Sequence, residues 1–451
     1  MIDKINLRLF DIDDQLVDNF FVDLIDNHYY ISVEFKQILT YCPTCGSIRI
    51  VSKGHHSKNL VSNPINDLPC SIHTQTKRFE CKDCFVSFID SNPIDYNDTK
   101  FTKLAVITIL KRLKPYNVTY SQIARDYEVS TQKIVDLFDM FVRIKRKHLP
   151  RILLIDEFYF NRNAKFKYPT LLMNFENNLI IDIIESRKHL ILSSYFYSIP
   201  QKEREEVEYI CTDMSTTFRT LIHTYFPNSS HLVDHFHVTK LINDQLNNTR
   251  KRIMRKYANN KDSLEYKLLK NKYRILLKCR NDVDTDTFKY DYTLEYHTTE
   301  NGILESILNI DAELKNAYLA KEEYLAFDQC SKEDIDKYDK RKELNSLIRR
   351  FKFINVEEFT EASESLENWK EEILNSFIWI GYRRISNGPI EGKNNYIKKI
   401  LSNANGMTNF KRTRNRLMYS LNKYETYSLS EHRDSIKNPG KPRGKYKKNK
   451  T

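Results

Sequence analysis

Glycine is scarce in this sequence, and long apolar runs and a signal peptide are missing. The 451 residues include nine Gly, and 40% are hydrophobic, which is typical of a globular protein. No apolar run approaches the roughly 20 residues that a membrane-spanning helix needs. The first residues also lack a signal-peptide pattern, and no internal repeat is found. The sequence therefore predicts a cytoplasmic protein of several globular domains, without a membrane partner.

Acidic residues are outnumbered, most clearly near the C-terminus. The formal net charge is +12 and the isoelectric point is about 9.0, which indicates a polyanionic partner, most often nucleic acid. The last stretch, 437–451, carries seven Lys or Arg and no acid. We predict that 426–451 is a disordered basic tail. It either touches DNA or only aids solubility.

Four of the eight cysteines form two C-x-x-C pairs, 35 residues apart. They are Cys42, Cys45, Cys81 and Cys84. Zinc takes four soft ligands in a tetrahedron, and each C-x-x-C turn presents two thiolates to one ion. This spacing indicates metal binding rather than disulfides. It predicts a Zn²⁺-binding ribbon over 42–84, within an N-terminal segment, 1–98. Cys70 and His73 remain alternatives for one ligand.

A helix-turn-helix pattern follows the cysteine pairs. Residues 121–138 fit two helices joined by a tight turn, with Ser130 as the predicted cap of the second helix. Glu128 stands at the turn position that is often Gly. We assign 99–148 to a DNA-binding domain of this type. Its predicted DNA-contacting residues are Gln132 and Lys133.

The central part of the sequence alternates between strands and helices. An apolar run, 151–158, contains Asp156, and two further strands follow it. A helix, a strand ending at Asp213, a second helix and a strand ending at Asp234 come next. This is the element order of an RNase H-like α/β core. Helical spacing over about 245–375 predicts a large helical insertion in that core.

Glu391 is an isolated acid in a basic region. Between Glu372 and Glu425 it is the single carboxylate among ten Lys and Arg residues. Pro389 suits the first turn of a helix, so Glu391 is predicted to lie near a helix N-terminus. A lone acid repels the phosphate that such a surface attracts, unless it holds a divalent metal. The alternative is a glutamate favoured there only by the helix dipole.

Asp156, Asp213 and Glu391 are the predicted ligands of Mg²⁺ or Mn²⁺. Acids at strand ends repel one another, which is poor for stability, but carboxylate oxygens are good ligands for Mg²⁺. Asp156 could instead pair with a surface Lys, and Asp213 could cap the following helix. Asp234 is the rival second carboxylate. Together with His237 it forms an Asp-x-x-His pair that either supports the site or satisfies polar groups in the core.

At this point the sequence resembles transposases of the ISL3 insertion-sequence family, which have a DDE catalytic domain. Beside the cysteine pairs and the helix-turn-helix, the strings that carry the resemblance are Ile155-Asp156-Glu157, Thr212-Asp213-Met214-Ser215, Val233-Asp234-His235-Phe236-His237 and Asn387-Gly388-Pro389-Ile390-Glu391-Gly392-Lys393-Asn394-Asn395. The resemblance implies a triad of Asp156, Asp213 and Glu391. It favours Asp213 over Asp234, because Asp-x-x-His follows the second acid in that family. One departure is Ser-Asn-Ala-Asn-Gly at 402–406, where the family tends to carry a basic-aromatic-Gly pattern.

The resulting prediction is a DNA transposase. It would bind the terminal inverted repeats of its insertion sequence and catalyse metal-dependent cleavage and strand transfer within a catalytic domain, 149–425. Further DNA contacts are predicted for Lys393, Lys398 and Lys399. The resemblance implies at least a homodimer on double-stranded DNA, in the bacterial cytoplasm at the nucleoid. A DNA-binding regulator, an inactive or domesticated transposase, and an RNase H-like nuclease without strand transfer remain alternatives.

Overall fold

The chain folds into two compact units in the computed structural model. The first unit comprises Met1–Lys145 and Lys399–Thr451, and the second comprises Arg146–Lys398. The residues that the structure describes are 7, 10, 12–96, 99–329, 332, 339–404 and 407–429. The predicted tail, 426–451, therefore lies outside them from residue 430 onward. None of the helices in the described ranges is long and apolar enough to cross a membrane.

The N-terminal half of the first unit is a mixed sheet. Its strands are β1 (Val17–Ile25), β2 (His28–Phe35), β3 (Ile50–Val61), β4 (Cys70–Cys81) and β5 (Ser87–Ile89). They lie in the order β1-β2-β4-β3, and β5 also pairs with β4. Side chains of β4 alternate between buried and half-buried along most of the strand, as a pleated strand with one face on a core requires. Ile31, Val33 and Ile72 lie in that core.

Three helices follow the sheet: α1 (Lys103–Arg112), α2 (Tyr120–Asp126) and α3 (Thr131–Phe141). The turn between α2 and α3 contains Glu128 at a φ of 48°, which explains why Gly is common at this position. Ser130 precedes α3 as predicted, but its side chain makes no capping hydrogen bond. The capping occurs at α2, where Thr119 and Gln122 form a reciprocal capping box.

The second unit contains a five-stranded sheet. Its strands are β6 (Ile152–Glu157), β7 (Thr170–Asn174), β8 (Ile180–Ile184), β9 (Tyr209–Thr212) and β10 (Ser230–Val233), in the order β10-β9-β6-β7-β8. β6 to β8 are antiparallel neighbours, whereas β9 pairs parallel to both β6 and β10. The helices between these strands are α4 (His189–Tyr197), α5 (Gln201–Glu205) and α6 (Thr216–Tyr225). This is the order of strands and helices that the sequence predicts.

A helical region with its own core follows β10. Its elements are α7 (His235–Lys256), α8 (Leu264–Asn271), α9 (Tyr273–Leu277), β11 (Lys289–Asp291), β12 (Tyr296–Thr298), α10 (Glu300–Leu308), α11 (Ala312–Asp328), α12 (Lys340–Phe353), α13 (Glu357–Asn368) and α14 (Lys370–Asn375). α7 buries Val238, Ile242 and Leu246 at helical spacing against this core. The helices begin at His235, earlier than the predicted start near residue 245, because α7 follows β10 directly.

The C-terminal elements are a short hairpin and two helices. They are β13 (Trp379–Ile380), β14 (Arg383–Arg384), α15 (Gly388–Asn403) and α16 (Phe410–Leu421). α16 belongs to the first unit and packs on the loop after α1. Arg416, which is 3% exposed, donates hydrogen bonds to the carbonyls of Leu113, Pro115 and Val118. The Tyr419 hydroxyl donates to the carbonyl of Leu110 at 2.9 Å. The first unit is therefore built from both ends of the chain.

Candidate metal centre

Three acids stand side by side at the ends of neighbouring parallel strands. The register pairs Leu154 of β6 with Cys211 of β9, so Asp156 lies level with Asp213, two residues further along both strands. β9 pairs with β10 through Thr212 and Val233, so Asp234 lies next to Asp213. The carboxyl ends of parallel strands meet at one edge of a sheet. That edge therefore gathers three carboxylates that are far apart in the sequence.

α15 lies over this edge and brings Glu391 to it. The backbone N–H of Asn387 donates to Oδ1 of Asp234 at 3.2 Å, and its side-chain amide donates to the carbonyl of Ile155 at 3.4 Å. Seven residues after Asn387, Nδ2 of Asn394 donates to Oδ2 of Asp156 at 2.7 Å. α15 begins at Gly388 with Glu391 in its first turn, as predicted. The helix is thereby fixed to two of the three strand ends.

Glu391, Asp234 and His237 form a group of potential metal ligands. One ligand atom from each lies within 4.8 Å of those of the other two. Asp234 is the residue before α7, and His237 is in the first turn of that helix. Both were predicted to support the site. Asp234 and His237 lie close enough to Glu391 for all three side chains to bind one ion, so they could be ligands themselves and not only support the ligands.

Asp156 and Asp213 lie in the same buried environment. Burial and, to a smaller extent, the charge of Asp213 raise the pKa of Asp156 to about 6, although a backbone hydrogen bond at Glu157 acts to lower it. Burial also raises the pKa of Asp213, against the nearby positive charges of His237 and Arg187. An environment that disfavours carboxylate ions in this way is one that a divalent cation would stabilise.

Among the residues that the structure describes, none donates a hydrogen bond to two of the carboxylate oxygens at this edge. They are Oδ1 of Asp213 and Oδ2 of Asp234, and both are buried. A buried carboxylate oxygen without a donor is unfavourable unless another positive group contacts it. The donor set of carboxylates and one imidazole fits Mg²⁺ or Mn²⁺. The residues present at this edge are therefore compatible with a divalent metal.

The alternative roles of these acids are not observed. The cap of α6 is Ser215 rather than Asp213. Asp156 accepts from Asn394 rather than from a surface Lys. Its neighbour Glu157 forms an ion pair with Arg187, with Nη1 to Oε2 at 2.8 Å. Among the described residues, Asp156 therefore pairs with no surface Lys, and Asp213 does not occupy the N-cap position of α6.

The four predicted zinc ligands come together in the first unit. Their sulfur atoms all lie within 4.8 Å of one another, with Cys42 to Cys84 and Cys45 to Cys81 at 3.6 Å. The net effect of burial and of hydrogen bonds with one another and with the backbone lowers the pKa of Cys42 and Cys81 and raises the pKa of Cys45 and Cys84. The four-cysteine cluster is therefore compatible with a zinc ribbon.

The alternative ligands of the ribbon lie elsewhere. Cys70 is buried in the core of the sheet, and His73 bonds to Asn59 with Nδ1 to Oδ1 at 2.7 Å. Neither belongs to the four-sulfur group that the described residues form.

The predicted DNA contacts are spread over two helices. Gln132 and Lys133 are exposed in the first turn of α3, where Gln132 also donates to Asp136 at 2.6 Å. Lys398 and Lys399 are exposed on α15. Lys393 is half-buried on the same helix, and burial lowers its pKa. Lys393 is thus less available to DNA than its neighbours.

Sequence reasoning missed Asn394 and Asn387. The sequence places Asn395 on the face of Glu391, yet the structure uses Asn394, which is buried, to contact Asp156. Spacings of three and four residues both keep side chains on one helix face, so the sequence offered a signal for either residue. Asn387 precedes the helix and carried no signal of its own.

The fold is of the mixed α/β class, and its sheet carries acids at adjacent strand ends beside a helix with a further acid, an arrangement that is compatible with a divalent-metal site. Residues 153–417 match a family model described as Transposase, of the DDE type found in ISL3 elements. The match covers more than half of the chain. The chain therefore belongs to the ISL3 transposase family. No curated protein matches it.

Proposed function

We propose that this protein is a DNA transposase that cuts at the terminal inverted repeats of its element and joins the 3′ ends to target DNA. The observation that supports the proposal is a row of three acids, Asp156, Asp213 and Asp234, at neighbouring strand ends in a member of this family. Glu391 lies beside this row, where it groups with Asp234 and His237. The five-stranded sheet would be an RNase H-like core interrupted by the helical region. The predicted domains, 1–98, 99–148 and 149–425, are part of this proposal.

In the proposed reaction, water attacks the phosphorus at the element end, and the bond from phosphorus to the 3′ oxygen breaks. The released 3′-hydroxyl then attacks a target phosphodiester, whose own 3′ oxygen leaves. A bound Mg²⁺ or Mn²⁺ would neutralise phosphate charge and favour the attacking oxygen as a nucleophile. Asp156, Asp213 and Glu391 would hold this cation, with Asp234 and His237 beside them. Asn394 would orient Asp156 through its hydrogen bond.

End recognition would fall to the first unit. The four-cysteine cluster would bind Zn²⁺ as a ribbon, and α2 and α3 would act as a helix-turn-helix with Gln132 and Lys133 towards DNA. Lys393, Lys398 and Lys399 would contact backbone phosphates near the cut. A homodimer or larger assembly on DNA would bring two ends together in the cytoplasm.

The test is an assay of purified protein on duplexes that carry the terminal repeats, with Mg²⁺ or Mn²⁺. Glu391→Gln is compared with Glu364→Gln, a change at an exposed acid on α13 of the same unit. We expect cleaved and joined products from wild type and from Glu364→Gln. In Glu391→Gln the cleavage rate should fall by at least about a thousandfold, because the neutral amide is a poor ligand for the metal.

Other outcomes separate the alternatives. Binding by all three proteins without any cleavage would favour a DNA-binding regulator or an inactive copy. Cleavage without joining would favour a nuclease. Equal cutting by Glu391→Gln and wild type would remove Glu391 from the site.

Zinc is tested by metal analysis. We expect one Zn²⁺ per chain in wild type and in Cys279→Ser, which changes a cysteine of the second unit, and less than half of that in Cys81→Ser. Because zinc binding stabilises such ribbons by many kcal/mol, chelation should also lower the unfolding temperature of the first unit. Full zinc occupancy in Cys81→Ser would contradict the ribbon.

A further inference from the structure

The loop between β6 and β7 extends their hairpin beyond the sheet and carries two exposed tyrosines. The backbone N–H of Phe160 donates to the carbonyl of Lys167 at 2.8 Å, which places Tyr159 opposite Tyr168. The two tyrosine rings have centroids 5.7 Å apart at 67°. Phe158 and Phe160 are buried on the other side, whereas Tyr159 and Tyr168 are 47% and 40% exposed. The hairpin therefore presents aromatic faces to solvent.

Cations lie beside Tyr168 and beside a third aromatic ring of the loop, that of Phe166. The guanidinium of Arg187 lies 4.7 Å from the ring centroid of Tyr168. The ammonium groups of Lys165 and Lys188 lie 5.2 and 5.5 Å from the ring centroid of Phe166. Residues 158–169 contain Arg162, Lys165 and Lys167 and no acid. We call this group of side chains the aromatic–cation patch. It consists of Tyr159, Arg162, Lys165, Phe166, Lys167, Tyr168, Arg187 and Lys188.

The patch borders the metal centre. Glu157, which forms an ion pair with Arg187, directly follows Asp156 in β6. Successive side chains of a strand point to opposite faces, so Glu157 and Arg187 lie on the other side of β6 from Asp156. A DNA strand that passed around this strand end would bring the nucleotides beside the cut phosphodiester to the patch.

Cations beside exposed aromatic rings are suited to nucleotides. Aromatic side chains stack on unpaired bases of any sequence, while Lys and Arg bind the phosphates between them. A base inside a duplex has both faces covered by its neighbours, so only an unstacked base can use such a ring. The patch therefore fits an unpaired strand better than an intact duplex.

A second group of exposed aromatic residues lies in an acidic region, which is unfavourable for binding nucleic acid. It lies on and around the β11–β12 hairpin and consists of Phe288, Tyr290, Tyr292 and Tyr296. Residues 280–300, which contain this group, include six acids and two basic residues. That composition repels a polyanion, whereas the composition of the aromatic–cation patch attracts one.

We propose that the aromatic–cation patch holds an unpaired nucleotide of the DNA strand beside the phosphodiester that is cut. The inference rests on the proposed function, which places the cut at the carboxylates. It adds that the DNA bound beside the cut is single-stranded. The exposed face of either Tyr159 or Tyr168 would stack on the base, because the two rings lie edge to face. Lys188 and the three cations of the loop would contact its phosphates, since Arg187 is paired with Glu157. Strand separation at the element end would thereby be stabilised before cleavage.

The test compares a blunt duplex with the same duplex carrying an arm of about six unpaired thymines, by fluorescence anisotropy of the full chain without divalent metal. Wild type should prefer the forked duplex. The double variant Tyr159→Ala/Tyr168→Ala should bind the arm about tenfold more weakly and keep its affinity for the blunt duplex. Tyr159→Phe/Tyr168→Phe should retain the preference, since it retains the rings. Tyr197→Ala changes a tyrosine of α4 that is 77% exposed, and should behave as wild type.

An unchanged preference for the fork in the double alanine variant would overturn the proposal, and so would the absence of any preference in wild type. These binding results are separate from cleavage. If wild type cuts terminal repeats but the tyrosines do not affect fork binding, the transposase function stands and the patch does not. If fork binding depends on the tyrosines while nothing is cut, the patch stands as a site for unpaired DNA and the transposase proposal fails.

Discussion

Glu391 and Asn394 lie one turn apart on α15 and approach different acids. Glu391 approaches Asp234 and His237, whereas Asn394 donates a hydrogen bond to Asp156. An amide donor occupies one lone pair of the carboxylate and leaves the other oxygen available. Asn394 is thus expected to fix the orientation of the Asp156 carboxylate.

Replacing Asn394 by Ala should weaken Mn²⁺ binding by about 10–100-fold, because hydrogen-bond partners of metal ligands orient them and their loss has effects of this size. Calorimetric titration with Mn²⁺ at neutral pH measures the change. Asn395→Ala is the matched control, since Asn395 is the exposed neighbour on the same helix. Equal Mn²⁺ affinities in the two variants would show that Asp156 needs no such orientation.

Glu203 accepts hydrogen bonds that make the stability of the second unit depend on pH in the acidic range. Arg146 donates to both of its oxygens, and the backbone N–H of Leu149 donates to Oε1 at 2.8 Å. The hydrogen bonds from Arg146 lower the pKa of Glu203 below its usual 4.5, against burial. A carboxylate with a lowered pKa stabilises the fold above its unfolded-state pKa. This contribution is lost as the pH falls through the lower, folded-state value.

We therefore expect the free energy of unfolding to fall as the pH drops below about 4.5, and to fall less in Glu203→Gln. At neutral pH the same variant should already be about 1–3 kcal/mol less stable, because a buried charged hydrogen bond is lost. Urea unfolding at a series of pH values measures both effects. Glu206→Gln, at an exposed glutamate one residue beyond Glu205, should leave the pH dependence unchanged.

At the scale of single elements, α2 and α3 differ in how they begin. Thr119 accepts from the backbone N–H of Gln122 at 3.2 Å, and the side chain of Gln122 accepts from the backbone N–H of Thr119 at 2.7 Å. Ser130, at the corresponding place before α3, makes no such bond. A helix as short as α2 depends on its cap, because its first N–H groups have no partner within the helix.

Thr119→Ala should therefore destabilise the first unit by about 1 kcal/mol, whereas Ser130→Ala should have an effect close to zero. Hydrogen exchange of the backbone amides of α2 and α3 measures the two changes separately. Equal losses of protection in both variants would mean that the hydroxyl of Ser130 caps α3 in solution.

At the scale of the whole molecule, the first unit depends on residues from both ends of the sequence. Arg416 of α16 is buried and satisfies three carbonyls around the end of α1. A buried carbonyl that loses its donor costs about 1–3 kcal/mol, and a Met side chain fills similar space without donors. The second unit has separate cores, so this cost should remain within the first unit.

Arg416→Met should accordingly destabilise the first unit by about 3 kcal/mol and leave the second unit unchanged. Hydrogen exchange distinguishes them, through amides of α1 on one side and of β6 on the other. Lys411→Met, at an exposed position of α16, is the control. A parallel loss of protection in β6 would show that the two units unfold together.

The sequence was a good guide wherever a local pattern has one physical solution. The C-x-x-C pairs predicted the four-sulfur cluster, because two such turns converge wherever one ion is shared. The apolar run before Asp156 predicted β6, and Pro389 predicted the start of α15. Ser130 shows the limit of such patterns. A good capping residue stands at the right place, and its bond is still not made.

The sequence by itself determined the family, the order of strands and helices, and the residue types of both candidate metal sites, since periodicity and motif spacing are local properties of the chain. Only the tertiary structure decided that Asn394 rather than Asn395 contacts Asp156, and that Asp234 and His237 group with Glu391. Strand register and the docking of α15 set these contacts. Both depend on how side chains far apart in the sequence pack together, which no spacing within one segment encodes.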